Sequence, residues 1–263
     1  MRRRNTRTMT KIAVTGAAGT IGKPLCTELA RDHDVVRIDL HDADVIADIR
    51  ELEPHVRAFA GCETVVHLAG IPSVTSSWDE VHGIDIGGTY VAFEAARRTG
   101  VKRVIFASSN HAVGQYEVDA GAALYEPAYG LVVGVGAPYR PDSLYGVWKA
   151  YGEALGRYYS DAFGLQVTCT RIGSITAADR PDDPSVADSS GWLDLTVEQK
   201  FKRYAATWMS QRDYARLVRA IMAHDVPFAI VYGVGDNATR FWDLEPGRAL
   251  FGFWPLDGVR ERG

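Results

Sequence analysis

KIAVTGAAGTIG, Lys11 to Gly22, joins an apolar run to a loop with glycines at Gly16, Gly19 and Gly22. A short apolar run closed by glycine reads as a buried strand, and the residues that follow, IGKPLCTELARD, carry a helix-like pattern. In a strand, glycine loop and helix unit, the first glycine permits the tight turn, the second lets backbone approach a pyrophosphate, and the third allows close helix-to-strand packing. The helix N-terminus then faces the phosphates. Glycines also end strands for purely conformational reasons, so the surrounding sequence has to decide.

Asp39 ends the next apolar run, DVVRIDL, about 20 residues further on. A carboxylate there accepts hydrogen bonds from the adenosine ribose hydroxyls and repels a 2′-phosphate, which favours NAD over NADP. Arg37 points to the opposite face of the strand and is a poor phosphate ligand. Asp48 and Ile49 lie where an adenine contact is expected.

Working outward, IAVT, VVRI, TVVHLA and VIFA are nearly unbroken Val, Ile, Leu and Ala, separated by longer amphipathic stretches. Strands alternating with helices predict a parallel sheet, and strands apolar on both faces predict helices on both sides. The fold class is therefore α/β, a doubly wound parallel sheet (Rossmann fold) with a small C-terminal substrate lobe. The spacing predicts a loop over 117–142, a helix over 144–163, a strand at LQVTCTRIG, a loose connector over 180–190, and helices at SQRDYARLVRAIMA and EPGRALFG around the strand FAIVYG. Residues 1–10 read as a disordered N-terminal tail and 11–263 as one Rossmann-type domain, with substrate-lobe segments near 174–212 and 236–263.

Composition narrows the function classes. Of 263 residues, 46% are hydrophobic and 24% charged, which predicts a globular core rather than disorder, and a net charge of −4 supplies no field for nucleic acid. No apolar run approaches the roughly 18 residues needed to span a bilayer, and the N-terminus lacks a signal-peptide apolar segment; the expected location is cytoplasmic. Cys26, Cys62 and Cys169 are too scattered for a disulfide framework or a zinc site, so no metal is expected.

Two further clusters carry chemistry. Tyr145 and Lys149 stand at i and i+4 on the helix over 144–163, stacked on one face. A neighbouring ammonium and a positive nicotinamide both favour a phenolate, which makes Tyr145 a general base. Ser109 ends the strand VIFASS at the crevice edge of the sheet, where its hydroxyl can orient a substrate alcohol.

GAAGTIG, VHLAG, FASSNHAVG, LYGVWK and RIGS together resemble the extended short-chain dehydrogenase/reductase superfamily, in its NAD-dependent epimerase/dehydratase group. SSNHAVG, LYGVWKAYGEALGRYY, and RIGS followed by TWMSQRD are similar to two branches within it, the uronate dehydrogenases and the archaeal-type NAD-dependent glucose-6-phosphate dehydrogenases. The resemblance implies hydride transfer from C1 of an aldose-type sugar to NAD, giving a lactone, with a hexuronate the expected substrate. It assigns Ser109, Tyr145 and Lys149 to catalysis and Ser73, Asn110, His111 and Arg203 to the sugar, Arg203 being the expected anchor of a carboxylate or phosphate. Lys200 and Lys202 beside it would favour a phosphorylated sugar. A sugar epimerase or dehydratase and a non-catalytic NAD sensor are the other readings. About 90 residues follow Arg171, few for the nucleotide-sugar lobe of the epimerases. Asp85 stands where the family usually has Asn, Trp148 replaces a small polar residue, and the connector over 180–200 brings an extra Trp192. The family implies a homo-oligomer, through helices near Asp79–Thr99 and Leu144–Phe163.

Overall fold

In the computed structural model, which describes residues 9–189 and 193–260, one parallel sheet is built from β1 (Lys11–Thr15), β2 (Asp34–Asp39), β3 (Val45–Ile46), β4 (Thr64–His67), β5 (Arg103–Ser109), β6 (Gln166–Ile172) and β7 (Phe228–Gly233), in the order β3-β2-β1-β4-β5-β6-β7. The register pairs Ile12 with Val35 on one side and with Thr64 on the other, so β1 is an interior strand and strand order reverses between β1 and β4. A crevice opens at that switch point, beyond the carboxyl ends of the strands.

The helices are α1 (Gly22–Leu29), α2 (Leu52–Phe59), α3 (Trp78–Glu80), α4 (Gly87–Thr99), α5 (Gln115–Ala120), α6 (Leu144–Phe163), α7 (Val197–Thr207), α8 (Gln211–Met222) and α9 (Glu245–Phe251). Alternate strand residues face opposite layers. Ile12, Val14 and Ile105 pack with α1, α8 and α9, while Ala13, Val65 and Val104 pack with α2, α4 and α6. This is the doubly wound Rossmann arrangement expected from the apolar strands. Cys26, Cys62 and Cys169 are buried and free, and among the described residues no helix is long and apolar enough to cross a membrane.

Three segments differ from their reading in sequence. The expected helix over 79–99 is interrupted by a π-helical turn, Val81–Ile86, which turns Asp85 into the protein at 1% exposure. The loop over 117–142 contains α5 and two short 3₁₀ turns, Gly121–Tyr125 and Pro127–Tyr129. It condenses around Leu124, Tyr125 and Val133 against Tyr232, Phe241 and Trp242, a core whose members are too distant in sequence to show a local period. The connector over 180–190 holds a 3₁₀ turn, Pro184–Asp188, whose Val186 packs on Tyr204 and Trp208. Helix α7 is not among the helices expected from the sequence, although Val197, Phe201 and Tyr204 fall at helical steps and Thr196 and Gln199 close a capping box at its start. Residues 1–8 of the expected tail, and Trp192, lie outside the described residues.

Candidate active site

The crevice is a cleft of about 940 Å³ running across the ends of β1, β2, β4, β5 and β6. At its centre Gly16, Gly19 and Gly22 form the turn from β1 into α1. Gly16 adopts φ +72°, and a Cβ there would lie 2.7 Å from the backbone N of Ala69, so both conformation and space demand glycine.

Asp39 stands at the end of β2 on the same cleft and ties the loop down: Oδ2 accepts from the Ala18 N–H at 2.9 Å and Oδ1 from that of Leu40 at 2.7 Å. Arg37 is turned away and paired with Asp44 at 3.1 Å, as the strand alternation requires. Asp48 and Ile49 line the far end. The Asp48 carboxylate is held on Arg50, which pulls its pKa down to about 2.

At the other end Ser109, Tyr145 and Lys149 converge. Ser109 is the last residue of β5; its hydroxyl donates to Asn110 Oδ1 at 3.2 Å and is near enough to the Tyr145 phenol to lower its pKa. Lys149 is 4% exposed; its Nζ donates to the Ala107 carbonyl at 2.7 Å and lies 5.3 Å from the centre of the Tyr145 ring. Burial pulls the Lys149 ammonium down to about 7 against the favourable charges of Asp85 and Glu153. Burial pushes the Tyr145 phenol up to about 12, outweighing the Ser109 hydrogen bond that lowers it. Without the cofactor's positive ring, burial therefore dominates the phenol and favours its neutral form.

Of the residues expected at the sugar, His111 and Arg203 face the cleft and Ser73 and Asn110 do not. Ser73 is turned to Thr75, its hydroxyl 2.9 Å away in a tight local turn. Asn110 is 2% exposed, inside the 3₁₀ turn that follows β5. His111 Nδ1 meets the fully buried carboxylate of Asp142 at 2.7 Å. Arg203, expected to await an anion, has its Nε and Nη2 on the two oxygens of Glu117 at 2.7 and 3.2 Å. Lys200 reaches the carbonyls of Ala187 and Ser189, and Lys202 pairs with Glu126 and Glu198. Glu117 and Asp142 went unnoticed in the sequence because each gains its meaning from a partner far along the chain.

The two departures pack together. Trp148 is 1% exposed, donates its indole N–H to Thr89 Oγ1 at 2.7 Å, and lies against Gly70, where φ is +146° and a Cβ would meet the ring at 2.1 Å. Asp85 Oδ1 accepts the Ile71 N–H at 2.9 Å, as a carboxamide oxygen would, so that backbone latch survives the change. Its Oδ2 is buried without a hydrogen-bond partner, and burial pushes the carboxyl up to about 6.

Comparison with known proteins completes the assignment. Residues 12–233 match the model of the NAD dependent epimerase/dehydratase family. The chain belongs to that family. Family relatives include an L-arabinose 1-dehydrogenase (NAD(P)(+)) of Haloferax volcanii, 38% identical over 95% of this chain and 97% of the relative. An NAD-dependent glucose-6-phosphate dehydrogenase of the same organism is 33% identical over 95% and 94%, and a uronate dehydrogenase of Pseudomonas syringae pv. tomato is 33% identical over 89% and 77%. The crystal structure of uronate dehydrogenase from Agrobacterium tumefaciens superposes with a TM-score of 0.75, at 30% identity, covering 95% of this chain and 85% of that one. As a member of this family, the protein is an NAD-dependent oxidoreductase acting on CH–OH groups, of the sugar-dehydrogenase kind.

Proposed function

We propose that the protein oxidises C1 of an aldose to the lactone, with Tyr145 as general base, Ser109 orienting the C1 hydroxyl and Lys149 setting the electrostatics of the phenol. The observation that carries this is the meeting of Ser109, Tyr145 and Lys149 at the end of β5, in the same cleft as the glycine turn. Gly16, Gly19 and Gly22 would hold the pyrophosphate, Asp39 the ribose, and Asp48 and Ile49 the adenine. The glycine turn at φ +72° and the carboxylate beside it fit that cofactor. Bound NAD supplies the hydride acceptor and a positive ring.

The residues then divide the work. Ser109 and Tyr145 hold the C1 hydroxyl between them, and the phenolate takes its proton as hydride leaves C1. Lys149, near half-charged at neutral pH, returns positive charge to the phenol's surroundings and relays its proton outward. The expected sugar-side lobe is supported on the 174–212 side, where Val186, Lys200, Arg203 and Tyr204, from the 3₁₀ turn Pro184–Asp188 and α7, line the cleft; no described residue of 236–260 does.

The hexuronate expected from sequence is supported by Arg203 on the cleft and by the uronate dehydrogenases among the relatives. The carboxylate already held on Arg203, and the L-arabinose 1-dehydrogenase relative, favour an uncharged aldose instead. The test is NADH formation with NAD against L-arabinose, D-galactose, D-glucose, D-galacturonate, D-glucuronate and D-glucose 6-phosphate. Lactone formed in step with NADH on any of these is the expected result; silence on all six overturns the proposal in favour of an epimerase or an NAD sensor.

A further inference from the structure

Helix α5 and helix α7 meet at a buried ion pair that the reaction itself does not require. Glu117, on α5, is 0% exposed. Its Oε1 accepts from the Tyr125 hydroxyl at 2.7 Å and from Arg203 Nε at 2.7 Å, and its Oε2 from Arg203 Nη2 at 3.2 Å. The Nε and Nη2 edge is one of the two edges by which a guanidinium grips a carboxylate in two parallel hydrogen bonds. Here it grips one belonging to the protein.

We infer that Glu117 sets the charge class of the substrate: it neutralises Arg203 and makes an uncharged aldose the preferred sugar over a hexuronate or a sugar phosphate. The inference rests on the C1-oxidation reading above and narrows it. A ligand carboxylate could take this Nε and Nη2 edge of Arg203 only by displacing Glu117. That would strand a fully buried carboxylate without its cation, which is among the costliest changes available to a protein interior. A sugar hydroxyl asks a single hydrogen bond of the guanidinium and leaves the pair intact.

The neighbouring side chains are engaged within the protein as well. His111 Nδ1 lies 2.7 Å from the buried Oδ2 of Asp142, and Lys200 is held on the carbonyls of Ala187 and Ser189. Lys202, the other lysine of the run, is paired with Glu126 and Glu198 at 2.8 and 3.2 Å. An anionic sugar therefore finds the guanidinium of Arg203 already balanced by Glu117 and the ammonium of Lys200 already held on two carbonyls.

D-Galactose and D-galacturonate form a matched pair, identical from C1 to C5 and different in charge at C6. The full-length wild-type protein is expected to favour galactose by at least about tenfold in kcat/KM, since truncating or stranding a buried charge partner costs well over the 1.4 kcal/mol that tenfold represents. In Glu117→Gln, which keeps the shape and an oxygen for Arg203 Nε but removes the charge, the ratio should fall by tenfold or more, through galacturonate KM, while NAD affinity is retained. A wild-type ratio at or below one, or an unchanged ratio in a folded Glu117→Gln protein, overturns the inference and leaves C1 oxidation standing. Should the variant fail to fold, the wild-type ratio decides by itself. Silence on both sugars and on the rest of the panel removes the C1-oxidation reading instead.

Discussion

Lys149 donates its ammonium to the carbonyl of Ala107 at 2.7 Å, which fixes the lysine of α6 to the strand that carries Ser109. The bond holds Nζ under the Tyr145 ring, and the same burial that makes it rigid brings its pKa down to about 7. Burial shifts both side chains toward their neutral forms, the Tyr145 phenol upward and the Lys149 ammonium downward. The following consequences can be measured.

Tyr145→Phe removes the proton acceptor and keeps the ring packed against His111 and Trp148, 5.7 and 5.6 Å away between centroids. Turnover on the best sugar of the panel is expected to fall by a factor on the order of 10² to 10⁴. NAD binding, followed by quenching of tryptophan fluorescence, should be unchanged. Turnover within a few-fold of wild type would remove Tyr145 from the chemistry.

Asp39→Ser takes away the carboxylate that holds Ala18 and Leu40 and that would repel a 2′-phosphate. Losing a charged acceptor costs roughly 1.5–3 kcal/mol, so KM for NAD should rise roughly 10- to 100-fold while the discrimination against NADP shrinks. Steady-state kinetics with the two cofactors on one sugar measures both. A variant as selective as wild type would place the ribose elsewhere.

Asp85→Asn changes the pH dependence of stability with a definite sign. The native carboxyl titrates near 6 against an ordinary value of 3.8, so the folded state holds its proton more tightly. Its contribution is fully present below pH 3.8 and is lost as pH rises through 6. The asparagine variant lacks that loss and should be more stable than wild type at pH 7, by on the order of 1–3 kcal/mol. Without the nearby anion, the Lys149 pKa should also drop, and the pH profile of kcat with it. Denaturant midpoints at pH 4 and pH 7 decide the first point.

His67→Gln tests the opposite limb. His67 is 1% exposed in β4, its Nδ1 is 2.7 Å from the Thr15 hydroxyl, and burial first and Lys149 second bring its pKa down to about 3 from 6.5. Between these values the unfolded chain binds the extra proton, so wild-type stability rises with pH across that window and is drained below it. The variant should flatten this acid limb, by roughly 4 kcal/mol between pH 3 and 6.5. Equal acid sensitivity in the two proteins would exclude His67 as its source.

Trp148→Ala opens a cavity between Gly70, Thr89 and Lys149 and removes the indole lying 3.4 Å from Nζ. A loss of about 3–5 kcal/mol in unfolding free energy is expected, as for other buried aromatic truncations. Calorimetry on the cofactor-free protein checks it.

How much of this is legible without coordinates depends on the range of the interaction. The glycine spacing of Gly16, Gly19 and Gly22, the apolar strands and the Tyr145–Lys149 step are local, governed by one turn of backbone, one pleat or one helical repeat. Each can be read from consecutive letters, and with Asp39 they specify the parallel sheet and the cofactor end of the cleft. The π turn at Val81–Ile86 is invisible in the letters, and the Ile71 amide that its Asp85 meets lies on another segment of the chain.

By itself, the sequence determined the doubly wound fold and NAD as cofactor, and it singled out the trio Ser109, Tyr145 and Lys149 that we propose as the reactive cluster. Only the tertiary structure decided that Ser73 and Asn110 turn from the cleft, that the phenol is pushed up rather than down, and that Arg203 is already neutralised. The reason is physical: charge and solvation at a buried site are sums over every group within a few ångströms. Glu117 comes within 2.7 Å of Arg203 across 86 positions of chain, only once α5 and α7 have packed.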